Sequence, residues 1–272
     1  MEKTVLPFLR ERFGLKCVIK SKTLRTCALG ESTIDNLIAD LMTSSNPTVG
    51  LSAHPAQTDV RITAKAESEE EADRLIAEIE EKVRQRLGLA IYGVDSQKLE
   101  EVVVGLLRKR NLTLTLVETN TAGLIAQRLQ DVKGSADLLK SKLILMGEDD
   151  LKAELGLSPD FLARYGFISA ETTAASAEAA HAKGKAELAL AVFGTSAPNE
   201  DFYSEKTGQT FMALASSQET MGQALRFGGC TDLAQRWVST MALDFLRRFL
   251  LAAPTSKKDA DNAEKRRLKS KT

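Results

Sequence analysis

NPTVGLSAHPAQTDVRITAKAESEEEADRLIAEIEEKVRQRLGLAIYGV, residues 46–94, is the stretch whose reading decides the fold of the first half of the chain. In DVRITAKA, Val60, Ile62 and Ala64 alternate with Arg61, Thr63 and Lys65, which predicts a strand with one buried and one wet face. PTVGLSA before it is a second strand, and HPAQT is the hairpin connection between them. Ser68 with Glu71 three residues on reads as a capping box. The helix it opens carries Ala72, Leu75, Ile76, Ile79, Val83 and Leu87 and ends near Gly88. LAIYGV is a final strand. Upstream, KCVIKSKTLRTCAL has β-branched residues in short alternation and stops at Gly30. Glu31-Ser32-Thr33 then starts a helix with Ile34, Leu37, Ile38 and Leu41 on one stripe, ended by Ser44-Ser45-Asn46-Pro47. The order over residues 15–94 is β-α-β-β-α-β, a split βαβ sandwich of the ferredoxin/KH-like kind. So common an architecture implies no function by itself. Residues 1–13 read as a short amphipathic helix, with Val5, Phe8, Leu9 and Phe13 close to one face.

Residues 95–253 read as a three-layer α/β/α domain. Helix QKLEEVVVGLLRKR is followed by strand LTLTLVE, a helix from Thr121 to Asp131, strand KLILM, helices near 149–156 and 159–165, and an alanine-rich helix from Ala170 to Lys183. ELALAVFG is almost wholly apolar, as central parallel strands are. GQTFMALA and TMGQALRF suggest an antiparallel pair, and a helix from Thr231 to Leu251 closes the domain. Residues 254–272 have no aromatic residue and one large aliphatic residue, Leu268, so a disordered, solvated tail is expected.

Thirty-seven Lys and Arg balance thirty-seven Asp and Glu, so no net field favours a polyanion or a membrane surface. Three cysteines and two histidines, with no CxxC or HxxxH spacing, suggest neither a zinc site nor a disulfide framework. No metal or other cofactor is expected. The first residues lack the apolar core of a signal peptide, and no apolar run approaches a membrane span, so a cytoplasmic protein is expected.

Specific residues then resemble a known family. RFGLKCVIKSKTLRTCALGESTIDNLIADL, NPTVGL and DVRITAKAES resemble the middle region of the competence/damage-inducible protein A (CinA) family. GLIAQRLQDVKGSA, GLSPDFLARYGFIS, RFGG and the closing helix resemble that family's C-terminal domain. The resemblance runs in unbroken order to about residue 250. It implies that the family's N-terminal molybdopterin-binding-like domain would precede Met1, with residues 1–14 as its leftover last helix. It also implies that the C-terminal domain is similar to nicotinamide-nucleotide amidases, which deamidate nicotinamide mononucleotide. The family pattern E-S-C-T-G-G, whose Ser is the proposed nucleophile, reads here Glu118-Thr119-Asn120-Thr121-Ala122-Gly123. Counted back without gaps from Leu155-Gly156, the Tyr and Lys of the family's Y-S-N-x-x-K run fall at Met146 and Leu151. T-G-x-x-G-P-G-G becomes Phe193-Gly194-Thr195-Ser196-Ala197-Pro198-Asn199-Glu200, and two family arginines fall at Thr231 and Gln235.

A hydroxyl nucleophile needs a base, and neither Met146 nor Leu151 can hold a proton. Lys152 is one residue from the matched position but about 100° round a helix. Lys140 and Lys142 flank the preceding strand. The expectation is therefore a CinA-like binding or assembly module that has lost its Ser/Tyr/Lys positions. Thr119, Thr121 and Gly123 would be the residual contacts for a small nucleotide ligand. The alternative is an active nicotinamide mononucleotide deamidase using Thr119 and a displaced lysine. In structural terms Thr119 and Thr121 read as helix N-caps, Met146 and Phe193 as core filling, and Trp237 as packed with Leu233 and Met241. A homo-oligomer or a separate N-terminal-domain chain is the expected partner. Nucleic acid is not, since no basic G-x-x-G loop occurs.

Overall fold

The computed structural model describes residues 4–14, 17–195 and 208–252. The tail expected at 254–272 and the loop positions 196–200 lie outside the described residues. Contacts divide the chain into two compact units, Met1–Gln97 and Lys98–Thr272.

The first unit contains α1 (Val5–Phe13), β1 (Val18–Cys27), α2 (Glu31–Met42), β2 (Thr48–His54), β3 (Gln57–Ala66), α3 (Glu69–Leu87) and β4 (Ile91–Val94). Its sheet order is β2-β3-β1-β4, with every neighbouring pair antiparallel. This is the predicted split arrangement. Leu24, Val60, Ile62 and Ala64 of the sheet meet Ile34 and Ile38 of α2 and Ile76 and Val83 of α3 in one core.

Three details differ from the sequence reading. The hairpin loop is only Pro55-Ala56, because His54 and Gln57 still pair across the strands. Leu37 is 42% exposed, since the helix departs from regular geometry at Ile38 and buries Ile34, Ile38 and Leu41 alone. Ser68 does cap α3 through the Glu71 N–H, at 3.1 Å. The Glu71 carboxylate, however, accepts from the Glu67 N–H, not from that of Ser68. In α1, Val5, Phe8 and Phe13 are 40, 61 and 67% exposed.

The second unit contains α4 (Leu99–Arg110), β5 (Leu114–Glu118), α5 (Leu124–Gln130), β6 (Leu139–Ile144), α6 (Glu148–Asp150) with a π-helical turn (Leu151–Leu155), α7 (Pro159–Tyr165), α8 (Ala170–Ala182), β7 (Leu188–Gly194), β8 (Thr210–Ala215), β9 (Thr220–Leu225) and α9 (Asp232–Ala252). The sheet order is β6-β5-β7-β8-β9. β6, β5 and β7 run parallel, and β8 and β9 complete an antiparallel edge. α4 and α5 pack against α9, and α8 lies across β7 and β8, giving three layers.

β7 is buried throughout, which explains its continuous apolar run. Ala177 and Ala180 of α8 share a core with Ala189, Ala191, Ala213 and Ala215. Small residues on both surfaces let helix and sheet approach closely. α5 starts three residues later than expected, because Ala122 (φ 50°) and Gly123 (φ 87°) turn left-handed before it. No helix among the described residues is long and apolar enough to cross a membrane.

Candidate functional site at the carboxyl ends of the parallel strands

β5 and β7 run parallel side by side, and the order of connections reverses between them. β5 connects outward to β6 on one side, and β7 connects to β8 on the other. Open α/β sheets place ligands at such a switch point, outside the carboxyl ends of the strands. The residues that leave these ends are Glu118-Thr119-Asn120-Thr121 after β5 and Gly194-Thr195 at the end of β7.

Glu118 is 1% exposed, a carboxylate ending a wholly buried strand. It accepts from the Thr121 hydroxyl at 2.7 Å, the Ile125 N–H at 3.1 Å and the Ala126 N–H at 2.9 Å. These N–H groups belong to the first turn of α5, which has no other side-chain cap. Helix N-termini attract anions, and here the chain supplies its own. Burial pushes the Glu118 carboxyl above its usual range, against the pull of the Thr121 hydroxyl and the Ala126, Ile125 and Gly123 N–H groups.

Thr119 sits where β5 ceases to be a strand. Its N–H still bonds Val192 O at 3.1 Å, and its hydroxyl then continues the ladder. Oγ1 accepts from the Gly194 N–H at 3.1 Å and donates to Val192 O at 3.4 Å. The side chain therefore sews β5 to β7. Neither threonine caps α5 as the sequence suggested. Thr119 bonds across the sheet, Thr121 donates to Glu118, and Glu118 supplies the cap, seven residues before the first N–H it accepts. Thr121 is wholly buried. Gly123 takes the left-handed turn, and a Cβ there would lie 2.8 Å from Ile144 Cδ1.

Of the residues at the matched Tyr and Lys positions, Met146 follows Leu145, whose N–H bonds Glu118 O at 2.8 Å beside this turn. Met146 is 83% exposed, so it is not the core filler expected of it. β6 is an edge strand that ends at Ile144, and the Met146 N–H is held by Asp150 Oδ2 at 2.6 Å. Leu151 is fully buried in the core beneath α8. Phe193 is also fully buried, as expected. Lys152 pairs with Asp149 at 3.1 Å. Lys142 donates to Gln130 Oε1 at 3.2 Å and stands in register with Leu116. At ~3.3 Å per residue, that register lies about 10 Å short of Thr119 along the strand. Lys140 lies further back and is exposed.

Thr231 caps α9, accepting from the Ala234 N–H at 3.2 Å. Trp237 packs against Phe227 with ring centroids 4.7 Å apart and planes tilted by 48°. Leu233, expected beside it, is 45% exposed.

The sequence reading missed Asn120, the centre of the turn. It is 3% exposed. Its amide nitrogen reaches Thr210 Oγ1 at 3.4 Å and Gly229 O at 3.5 Å, and its Oδ1 has no hydrogen-bond partner. Gly194 is required here, because a Cβ would fall 2.4 Å from Asn120 Nδ2. Gly228 closes in from the other side, where a Cβ would lie 2.9 Å from Gln209 O. The one available signal was a run of polar residues, Glu118 to Thr121, at the end of a largely apolar strand. No group of three or more His, Cys, Asp or Glu among the described residues could hold a metal ion.

Comparison with known proteins places both units. The family model described as the CinA C-terminal domain matches residues 96–250, and that of the damage-inducible protein CinA KH domain matches residues 21–93. A putative competence-damage inducible protein of Caldicellulosiruptor bescii is 34% identical over 251 residues, covering 92% of this chain and 61% of that protein. A CinA-like protein of Dictyoglomus thermophilum is 34% identical over 235 residues, covering 86% of this chain and 57% of that protein. The chain thus spans about three-fifths of the length of the curated relatives it matches. The crystal structure of a competence or damage-inducible protein from Enterobacter asburiae superposes with TM-score 0.50 at 21% identity. It covers 57% of this chain and 99% of that one, and bears on the fold alone.

Proposed function

This chain belongs to the CinA family, and from that membership we propose that its second unit is a non-catalytic derivative of the family's amidase-like domain, acting as a binding or assembly module. One observation carries the reading. The hydroxyl at the nucleophile-equivalent position, Thr119, has both of its hydrogen bonds with backbone groups of β7. A hydroxyl used this way is neither free to attack nor in contact with a base. A positioned base contributes roughly 10²–10⁴ in rate, so its loss removes most of the turnover expected of such a site.

The two residues at the matched Tyr and Lys positions support the same reading. One is an exposed thioether and the other a buried aliphatic chain, and neither transfers protons. Glu118, which matches the family pattern, supports the reading differently, because its role is to hold α5 in place. A residue with a structural job survives the loss of chemistry around it. Any retained small-molecule contact falls, in this reading, at the β5–β7 crevice, beside Thr119, Asn120 and Gly123. The N–H groups at the start of α5 already serve Glu118, which disfavours a phosphate there.

The test is ammonia release from nicotinamide mononucleotide by the purified chain and by Thr119→Ala, with circular dichroism showing both folded. The expected result is background release from both. Release well above background that Thr119→Ala abolishes would overturn the proposal and establish the deamidase alternative, with a lysine reaching Thr119 by a movement of the turn.

A further inference from the structure

We propose that the end of the second unit at which its parallel strands begin, opposite the candidate site, is a docking surface for the phosphate backbone of double-stranded nucleic acid. Three connections meet there, leading from α4 into β5, from α5 into β6 and from α8 into β7. They are knit together. Arg108 Nη2 donates to Gly134 O at 2.6 Å, the Leu114 N–H to Leu138 O at 2.7 Å and the Leu188 N–H to Thr113 O at 3.1 Å. Residues 108–113, 131–140 and 183–187 hold seven Lys or Arg against three Asp or Glu. The balance of charge over the whole chain therefore conceals a local positive excess.

Helix dipoles account for only part of that excess. Cations at a helix C-terminus offset its partial negative charge, which explains Arg108, Lys109 and Arg110 in the last turn of α4. Lys133, Lys140 and Lys185 lie outside the helices, and all three are exposed. Lys183 is tied back to Glu154 O, and the Glu187 carboxylate accepts from the Thr113 N–H at 2.7 Å and its hydroxyl at 2.5 Å. The topology brings further positive charge to the same end. α9 starts beside the candidate site, where Gly229 O faces Asn120, and packs along α4 and α5. Its 21 residues extend about 30 Å, against about 17 Å for the five residues of β5. Residues 254–272, with seven Lys or Arg and three Asp or Glu, are thus attached where the parallel strands begin.

The occupant follows from how these charges are laid out. They are spread over three connections, which suits a line of phosphates and not a single small anion. Each phosphate neutralised releases condensed counterions, and that gives an affinity independent of sequence. Residues 108–113, 131–140, 183–187 and 254–272 contain no aromatic side chain. They offer no platform for stacking unpaired bases, on which single-strand binding depends, so the duplex is favoured. They also lack the aromatic side chains that anchor a protein in a membrane interface. The missing G-x-x-G loop concerns the first unit and has no bearing on this surface.

Fluorescence anisotropy of a short labelled DNA duplex of mixed sequence tests this with the intact chain. The wild type is expected to bind at about 50 mM salt and to lose affinity on the order of 100-fold by about 200 mM, as the neutralisation of roughly four phosphates requires. Lys109→Glu/Lys133→Glu is expected to weaken binding about tenfold or more, and so is Lys140→Glu/Lys185→Glu, with circular dichroism showing each folded. Arg61→Glu/Lys65→Glu makes the same change of charge on exposed residues of the first unit, and is expected to alter the affinity less than about twofold. No binding by the wild type at low salt would overturn the proposal. An equal loss in all three double variants would also sink it, because the charge of the whole chain and not this surface would then be responsible. So would binding that Arg266→Gln/Arg267→Gln abolishes while the lysine pairs leave it intact. Binding to phosphatidylglycerol vesicles with none to the duplex would replace it with a membrane contact.

Discussion

Glu118 is a buried carboxylate whose hydrogen bonds hold the start of α5 in place. Its carboxylate is buried under three neutral donors, which hold it in place but do not fully replace water. Its folded-state pKa is raised above the ordinary value of 4.5, chiefly by burial. The sign follows directly. Folding favours the protonated form, so that contribution to stability is complete below about pH 4.5 and is lost as pH rises through the raised folded value. Glu118→Gln keeps the shape and does not titrate. The melting temperature of the wild type minus that of Glu118→Gln is expected to fall as pH goes from 4 to 8. A flat or rising difference would show that the hydrogen bonds outweigh burial. Thr119 and Asn120 make the complementary point. Their residue types alone suggest chemistry, but only their neighbours show that the first is a strand tie and the second a buried amide with an empty acceptor.

At the scale of elements, α9 carries the least expected energetics. Asp244 and Arg247 are each 2% exposed, on a helix whose inner side is otherwise apolar apart from Ser239 and Thr240. Asp244 accepts from Arg247 Nε at 2.8 Å and from Arg248 Nε at 2.7 Å. Removing one member of a buried pair strands the other charge, which costs about 3–5 kcal/mol. Asp244→Ala is therefore expected to lower the unfolding free energy by that order in a urea titration, although it deletes only a small side chain. A loss near zero would mean that water or other partners of the Arg247 guanidinium hold it without Asp244. α9 is also tied sideways, since Arg128 of α5 donates to Ser239 and Thr240 and pairs with Glu100 of α4. Three helices on one face of the sheet thus share a single guanidinium.

At the scale of the whole molecule, each unit has its own core, with Ile62 fully buried in the first and Trp237 half-buried against Phe227 in the second. Trp237 is the sole tryptophan of the chain, so its fluorescence reports on the second unit alone. Ile62→Ala should cost about 2–5 kcal/mol. It is expected to move the first part of the far-UV transition to lower denaturant while leaving the tryptophan transition in place. Coincident shifts would show that the units unfold as one. The sequence by itself determined the element order, because period-two and period-3.6 apolar patterns are local. It also gave the residue types at 119, 146 and 151 on which the proposed loss of turnover rests, because residue type needs no coordinates. It could not locate the cap of α5, which comes from Glu118 across a left-handed turn, nor the tie from Thr119 to β7, whose partners are 73 and 75 residues away. It misjudged Met146, because burial at a strand end depends on whether that strand lies at the sheet's edge. Strand order is set by which apolar faces meet, and that is decided only when the chain is closed on itself.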